Sequence, residues 1–516
     1  MRIQQIKMMA ALTTLVAVGG CLDNSLDIVN PNEATLESFW QTEAQAITAG
    51  NSVYFIPYTR GMWGRNRYWM WGRTDGYMSR SPASAIQNAV RGIITDYNYG
   101  GFLSGMWDDP WAGIFRANQV LDRVPEMDIT PAVKTRILAE TKFLRGLCYF
   151  HQVLLFGDIP IITTPADAST EMIWKPKAEA LALVVKDASE AASDLPWTWS
   201  GADKGRVTKG AALALLAETL MHQGKWSEAA TALQQIVDSN QYQLLANYAN
   251  LFMIPEGEQS AESLFEIAFG DINAQTAGVR GNINPRLIAP SSGAGSSIGF
   301  NDIQPNDWAF GLFFEGPGLS YPNNPDPRLN ATIFWNKPGG MDVFGMPFAQ
   351  RYRTTGPGGG PGFRDTDLDH TYFWKKYQEH WKTQLTDFAN PINFKVYRLG
   401  QIYVMLAEAR AELGQLGPAK AAIDVIRARA GVQPMPSGLS ADSVKGFINH
   451  EDLRENMWEG HGRLSYLKRH GLFNKAYLTP RNPFHAALFD DVKNQYIPIP
   501  QAEMNRNPNA VQNAGW

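Results

Sequence analysis

One helix-hairpin pattern occurs twice in this chain, and it constrains the fold more than any other feature. Leu216-Ala217-Glu218, Gly224, Ala229, Leu233 and Ile236 reappear as Leu406-Ala407-Glu408, Gly414, Ala419, Ile423 and Ile426, each displaced by 190 residues. Small residues at helical spacing let two helices approach closely, and glycine makes the turn between them. A single hairpin cannot bury its apolar face, so its neighbours must cover it. Two copies this far apart therefore belong to one helical scaffold with a long insertion between them.

Other segments carry the same helical period. Leu138, Phe143, Leu144, Leu147, Phe150, Val153 and Leu154 recur mostly at three- and four-residue steps. That spacing predicts a helix buried along much of its girth. Thr130-Pro131 opens this region, Gly157 stops the helix, and Pro160 prevents a restart. Further helices are expected over about 33–49, from Met106 onward, and over 177–195, 208–222 and 226–238. In the one from Met106, Trp107, Trp111, Ile114, Phe115, Asn118 and Leu121 line up as a core face. Glu451, Glu455 and Glu459 share a face of a late helix with Arg454 beside them. Ion pairing to arginines of neighbouring helices explains them better than acid–base chemistry does.

Two stretches have no period. Residues 50–106 interleave aromatics with Gly, Arg, Asn and Ser, and residues 245–394 are rich in Gly, Pro, Asn and aromatics. Aromatic content argues against disorder, so both read as long ordered loops. The chain holds 16 Trp and is 11% aromatic, and surplus rings of this kind often sit at binding surfaces. A flat ring offers a rigid apolar face to the C–H face of a pyranose, with nearby polar groups fixing orientation. On that argument the candidate ligand-binding residues are Trp69, Trp71, Arg73, Asp75 and Tyr77 from the first stretch. Trp308, Trp335, Tyr352 and Trp374 come from the second.

The N-terminus reads as a signal. Arg2 and Lys7 precede a mostly apolar run at 8–18, too short to span a bilayer. Val18-Gly19-Gly20-Cys21 then resembles a bacterial lipobox, in which Cys21 is acylated and becomes the first residue. Residues 1–20 are thus expected to be removed, leaving residues 21–516 as a single domain, with scaffold at 33–245 and 395–475. Cys148 lies in the central helix as a small apolar group. Net charge is −4, or −6 without Arg2 and Lys7, which gives no footprint for nucleic acid.

Motifs for chemistry are absent. Asp365-Thr366-Asp367-Leu368-Asp369 begins like a calcium loop, but His370 and Lys376 stand where an EF-hand needs Gly and Glu. The chain has no HExxH, CxxC, GxSxG or Walker A pattern, so no metal, no cofactor and no catalytic residue is expected.

Several stretches together resemble one family. The cadence around Glu140 to Pro160 (AE-x-x-FLR…YF…FGD-x-P), the start "LDIVNPNEATLESFW", "IFRANQVLDRV", and the tail at 496–516 are similar to the SusD/RagB nutrient-binding outer-membrane lipoproteins. Glu451 to Gly460 and Leu467-Lys468-Arg469 also resemble the family, with the usual arginine after the first glutamate absent, Tyr466 in place of the usual aspartate, and Gly462 as an extra residue. The resemblance implies a mostly α fold: a SusD-like α-helical scaffold with tetratricopeptide-like hairpins and long irregular aromatic-rich loops. It implies capture of oligo- or polysaccharide at the cell surface, without enzymatic chemistry. Delivery to a SusC-like TonB-dependent transporter would follow, from a membrane tether at Cys21. The alternatives are a surface glycoside hydrolase, or a lid or assembly lipoprotein that binds peptides or other nutrients.

Overall fold

The computed structural model describes residues 39–65, 72–78, 102–167, 172–269, 288–289, 299, 301–351, 368–382 and 390–516. The N-terminal signal and Cys21 lie outside these residues. The principal helices are α1 (Glu43–Tyr54), α2 (Phe102–Arg123), α3 (Pro131–Phe156), α4 (Lys177–Asp194), α5 (Lys209–His222) and α6 (Trp226–Asp238). After the insertion come α7 (Leu399–Glu412), α8 (Leu416–Ala430), α9 (Ala441–Asn456), α10 (Gly462–Arg469) and α11 (Gln501–Arg506). Strands are short and occur in pairs. Among the described residues no helix is long and apolar enough to cross a membrane.

The central helix α3 runs for 26 residues, and every residue from Phe143 to Phe156 is buried. It packs against α1, α2 and α4. Arg145 locks this packing. It grips both oxygens of Asp187 on α4 at 2.8 Å and donates to Asn118 Oδ1 on α2 at 2.9 Å. Gly113 permits the close approach of α2: a Cβ there would lie 2.9 Å from Ile56 and 3.0 Å from Cys148. Gly157, at φ +78°, ends α3 as its position in the sequence suggests.

The two repeats form hairpins α5–α6 and α7–α8, and α6 packs directly on α7. Segments 190 residues apart are therefore neighbours in one stack. Gly224 and Gly414 make the two turns at φ +69° and +71°, where a side chain would be strained. The repeated glutamates have a shared role. Glu218 accepts from Tyr397 and Ser465 at 2.7 Å and meets His461 at 2.7 Å. Glu408 pairs with Arg469 and His470. Each repeat thus presents a buried carboxylate to α10 and the residue beside it.

The insertion is closed at its base. Strand Ser263–Ile267 pairs antiparallel with Phe394–Arg398, so the chain leaves and re-enters the scaffold at one place. Above it, Phe334, Phe344, Phe348 and Phe373 build a small second core. A buried charge network joins insertion to scaffold. Arg328 contacts Glu451 at 2.7 Å and Glu455 at 2.9 Å; Arg398 contacts Glu455 at 2.6 Å and Glu459 at 2.5 Å; Lys376 contacts Glu459 at 2.7 Å. The three glutamates are structural, as expected, although Glu459 lies beyond the end of α9.

Two boundaries differ from expectation. Helix α1 starts at Glu43, where Thr42 and Gln45 form a reciprocal capping box, so residues 39–42 fall outside the helix expected over about 33–49, and residues 33–38 lie outside the described residues. Helix α2 starts four residues earlier than the aromatic pattern suggests.

Candidate functional site

The two aromatic stretches meet. Tyr77–Met78 pairs antiparallel with Gln304–Pro305. The next residue, Asn306, donates its side-chain N–H to Asp75 O at 2.6 Å and to Arg481 O at 3.0 Å. Its Oδ1 accepts from Ala309 N at 2.9 Å and caps the short helix Asp307–Gly311. That cap fixes Trp308, which is half-buried. The Arg481 guanidinium sits 5.3 Å from the Trp308 ring centroid, and His450 meets the ring edge-on at 5.9 Å. Asp307 and His370 pair at 2.9 Å, both well exposed.

An aromatic cluster continues from Trp308. Phe310 stacks on Tyr372 at 4.1 Å, and Phe314 meets Tyr321 at 5.1 Å and Trp335 at 5.9 Å. Trp335 Nε1 donates to Asn330 Oδ1 at 3.2 Å. Within the cluster Tyr321 is 55% exposed and Phe314 is half-buried, while Phe310 and Trp335 are buried. Trp308, Phe314 and Tyr321 therefore expose apolar ring surface along one segment, beside Asp307, His370 and Glu315. Glu315 is held below the usual carboxylate range by its 3.0 Å contact with His450, assisted by Arg454.

Several residues chosen from the sequence serve another purpose. Asp75 binds Arg463 through both oxygens at 3.0 and 2.9 Å and is fully buried. Arg73 donates to Asn494 O at 2.9 Å, and burial pulls its guanidinium down to about 10. Tyr77 OH accepts from Trp458 N at 3.0 Å. Trp374 stacks on Trp458 at 5.0 Å and packs on Tyr77 at 5.3 Å. Trp335 and Trp374 are 2% and 0% exposed, so neither ring has a face to offer. Arg73, Asp75, Tyr77 and Trp374 thus stitch the loops to the C-terminal scaffold, and Trp335 packs within the insertion against Phe310 and Phe314, so the surface role expected for these five is corrected by their burial. Trp69, Trp71 and Tyr352 lie outside the described residues, as do Asp365 and Asp367. Among the described residues no group of His, Cys, Asp or Glu is arranged to hold a metal.

Tyr321 and the Asp307–His370 pair were not singled out by sequence reasoning. Tyr321 precedes Pro322-Asn323-Asn324-Pro325, and a ring on such a turn-rich segment is prone to exposure, which is the signal available for it. The ion pair joins residues 63 apart, and no local pattern marks it.

Two family models match this chain. The SusD family model covers residues 261–516, and the model described as "Starch-binding associating with outer membrane" covers residues 74–220. The chain belongs to the SusD family. A SusD-like protein of Formosa agariphila is 27% identical over 426 residues, spanning 79% of this SusD-family chain and 77% of the relative. A SusD superfamily protein of Bacteroides vulgatus superposes with a TM-score of 0.77 at 22% identity, covering 93% of this chain and all of the other. A structure described as a laminarin-binding SusD-like protein gives a TM-score of 0.73 at 27% identity over 92% of this chain and all of the other. The mostly helical SusD fold accounts for the arrangement of hairpins and loops above.

Proposed function

We propose that this SusD-family protein captures oligo- or polysaccharide at the outer membrane and passes it to a SusC-like TonB-dependent transporter, tethered by an acylated Cys21. The observation that carries the binding role is the run of open rings at Trp308, Phe314 and Tyr321 beside exposed polar groups. Apolar faces bordered by hydrogen-bonding groups suit sugar rings. The similarity to a laminarin-binding SusD-like protein supports the ligand class, and the match to the starch-binding outer-membrane model supports the location. Trp69, Trp71 and Tyr352 stay in the proposal as further platforms from the same two stretches.

Binding without chemistry fits the carboxylates present. A glycosidase needs one carboxylic acid raised towards neutrality. Beside the open rings Glu315 is displaced the other way, and the carboxyl groups that are raised to about 6 or 7, Glu140, Glu258 and Asp302, are raised by burial. Weak single-site affinity suffices, because a polymer engages many anchored copies.

Calorimetry of the mature protein against a panel of glycans, laminarin and starch included, tests this reading. Binding to at least one, weakened by Trp308→Ala in a protein of unchanged melting temperature, is expected. No heat with any glycan would sink it and leave the lid or assembly role in its place. Acylation is tested separately: labelled palmitate should enter the wild type and not Cys21→Ser.

A further inference from the structure

A pocket of about 200 Å³ opens between the loop joining α4 to α5 and the segment after α6, and it shares no residue with the Trp308 segment. Trp197, Trp199 and Tyr242 give it three half-buried rings. Each ring is held in place. Trp199 Nε1 donates to Val207 O at 2.7 Å, and Tyr242 OH donates to Trp197 O at 2.7 Å. Gly210 makes room for the tyrosine, since a Cβ there would lie 2.5 Å from its hydroxyl. Lys209, which is not part of the lining, packs on the Trp197 ring at 5.4 Å from the centroid.

Gln259 supplies the polar side. Its backbone sits at φ +45°, in the left-handed region that residues other than glycine rarely adopt. Glu266 imposes this conformation: both its oxygens accept from Gln259 N at 3.0 Å, and the carboxylate is itself buried against Lys395 at 2.7 Å. Strain of this kind persists where the surrounding structure over-determines it, and it clusters at ligand sites. The Gln259 carboxamide lies over Gly205, where a Cβ would come within 2.5 Å of its nitrogen. That carboxamide and the Trp197 indole N–H take no hydrogen-bond partner among the described residues, and neither is one of the enclosed polar atoms that lack one. Both therefore face water, within reach of a ligand. A carboxamide donates and accepts, and an indole N–H donates. Beside three apolar rings, these groups fit a ligand with an apolar face and hydroxyls, which describes a sugar ring. A hydrocarbon would strip water from the amide and return no hydrogen bond. A cation finds no free carboxylate in the lining, because Glu266 is spent on Lys395 and Gln259.

We propose that this pocket is a second saccharide site. A sugar ring lies among Trp197, Trp199 and Tyr242, and hydroxyls of the glycan pair with the Gln259 carboxamide and the Trp197 indole N–H. The ligand class rests on the function proposed above, but the site is independent of Trp308. Two sites on one chain would let a polymer be held at two points, which strengthens retention without tightening either contact.

The test labels the full mature chain with 5-fluorotryptophan and assigns the fluorine resonances with Trp197→Phe, Trp199→Phe and Trp308→Phe. Laminarihexaose and maltohexaose are then titrated. The Trp197 and Trp199 resonances should move saturably with at least one of them. Gln259→Gly suits the positive φ, so it removes the amide without straining the fold. It should raise the half-saturation point at Trp197 and Trp199 roughly fivefold and leave the Trp308 titration unchanged. Movement of Trp308 alone overturns the second site and leaves the first standing. Movement at Trp197 or Trp199 with Trp308 silent does the reverse. Silence at all three resonances overturns both, and a Trp197 or Trp199 titration that Gln259→Gly leaves unchanged overturns the pocket as its cause.

Discussion

Arg463 holds Asp75 by two parallel hydrogen bonds, at 3.0 and 2.9 Å, across 388 residues of chain. Both side chains are buried. The pair ties the first aromatic stretch to α10 and so fixes the strand that positions Trp308. Removing one partner of a buried pair leaves an unpaired charge and costs about 3–5 kcal/mol. Asp75→Ala should therefore lower the denaturant midpoint sharply and weaken glycan binding only through loss of fold. An Asp75→Ala protein of unchanged midpoint that has lost binding would restore Asp75 as a ligand contact.

The buried carboxylates divide into two sets with opposite pH dependence. Burial alone would raise Glu451, Glu455 and Glu459, but Arg328, Arg429 and Arg398 respectively lead the charges that overcome it, and all three are held low. Glu408 is brought to about 2 against its burial by Arg469 and His470. Groups with depressed values stabilise the fold above their unfolded pKa of about 4.3, and that stability is lost as pH falls through the folded values. Burial raises Glu140 and Glu258 to about 7 and Asp302 to about 6. For Glu140 the burial outweighs an Arg206 contact at 3.1 Å. The contribution of these raised groups is complete below about pH 4.3 and disappears as pH rises through 6 to 7. Buried His222 and His485, pushed down to about 3, act the other way and lose stability as pH falls below about 6.5, so the trend between pH 5 and 7 is the difference between the two sets. Glu140→Gln should shift that difference, making stability at about pH 7 higher relative to about pH 5 than in the wild type while leaving the acid limb intact. Urea midpoints measured across pH check both limbs; a Glu140→Gln profile parallel to the wild type would refute the assignment.

Leu147 is fully buried in the middle of α3, the helix that packs against α1, α2 and α4. Leu147→Ala should cost about 2–5 kcal/mol through lost contacts and a residual cavity. Leu147→Asp adds an unpaired buried charge and should not fold. Chemical denaturation of the alanine variant gives the magnitude, and a soluble, cooperatively melting Leu147→Asp protein would remove α3 from the core.

Much of this architecture could be read from the residues, and the reasons are local. The repeats were legible because Ala, Gly and Leu at fixed offsets encode hairpin packing within some twenty residues of each other. Gly157 announced the end of α3 because its φ is one that other residues avoid. The loop aromatics were not legible in the same way. Tyr77, Trp374 and Trp458 bury one another, yet they come from three distant segments, and nothing beside any of them in sequence records the meeting. Composition revealed a surplus of rings without saying which were spent on joining loops to scaffold. Exposure is a property of the assembled surface, so Trp308 and Trp374 look alike in sequence and differ only in the fold.

That difference can be measured. Trp308 is half-buried on a capped helical turn, with one neighbour over its face and another at its edge. Losing it removes limited core contact, so Trp308→Ala should melt near the wild-type temperature. Its glycan affinity should fall by about 1 kcal/mol, close to fivefold, as one stacking contact is lost. Trp374 is 0% exposed and stacked on Trp458. Trp374→Ala should cost about 3–5 kcal/mol of stability, through the cavity it opens. Its folded fraction should bind glycan with affinity close to wild type, because no face of that ring reaches the ligand. Calorimetric titration paired with thermal melting separates the two variants. If Trp374→Ala melts normally and fails to bind, the division between ring surface that binds and ring surface that joins is drawn in the wrong place.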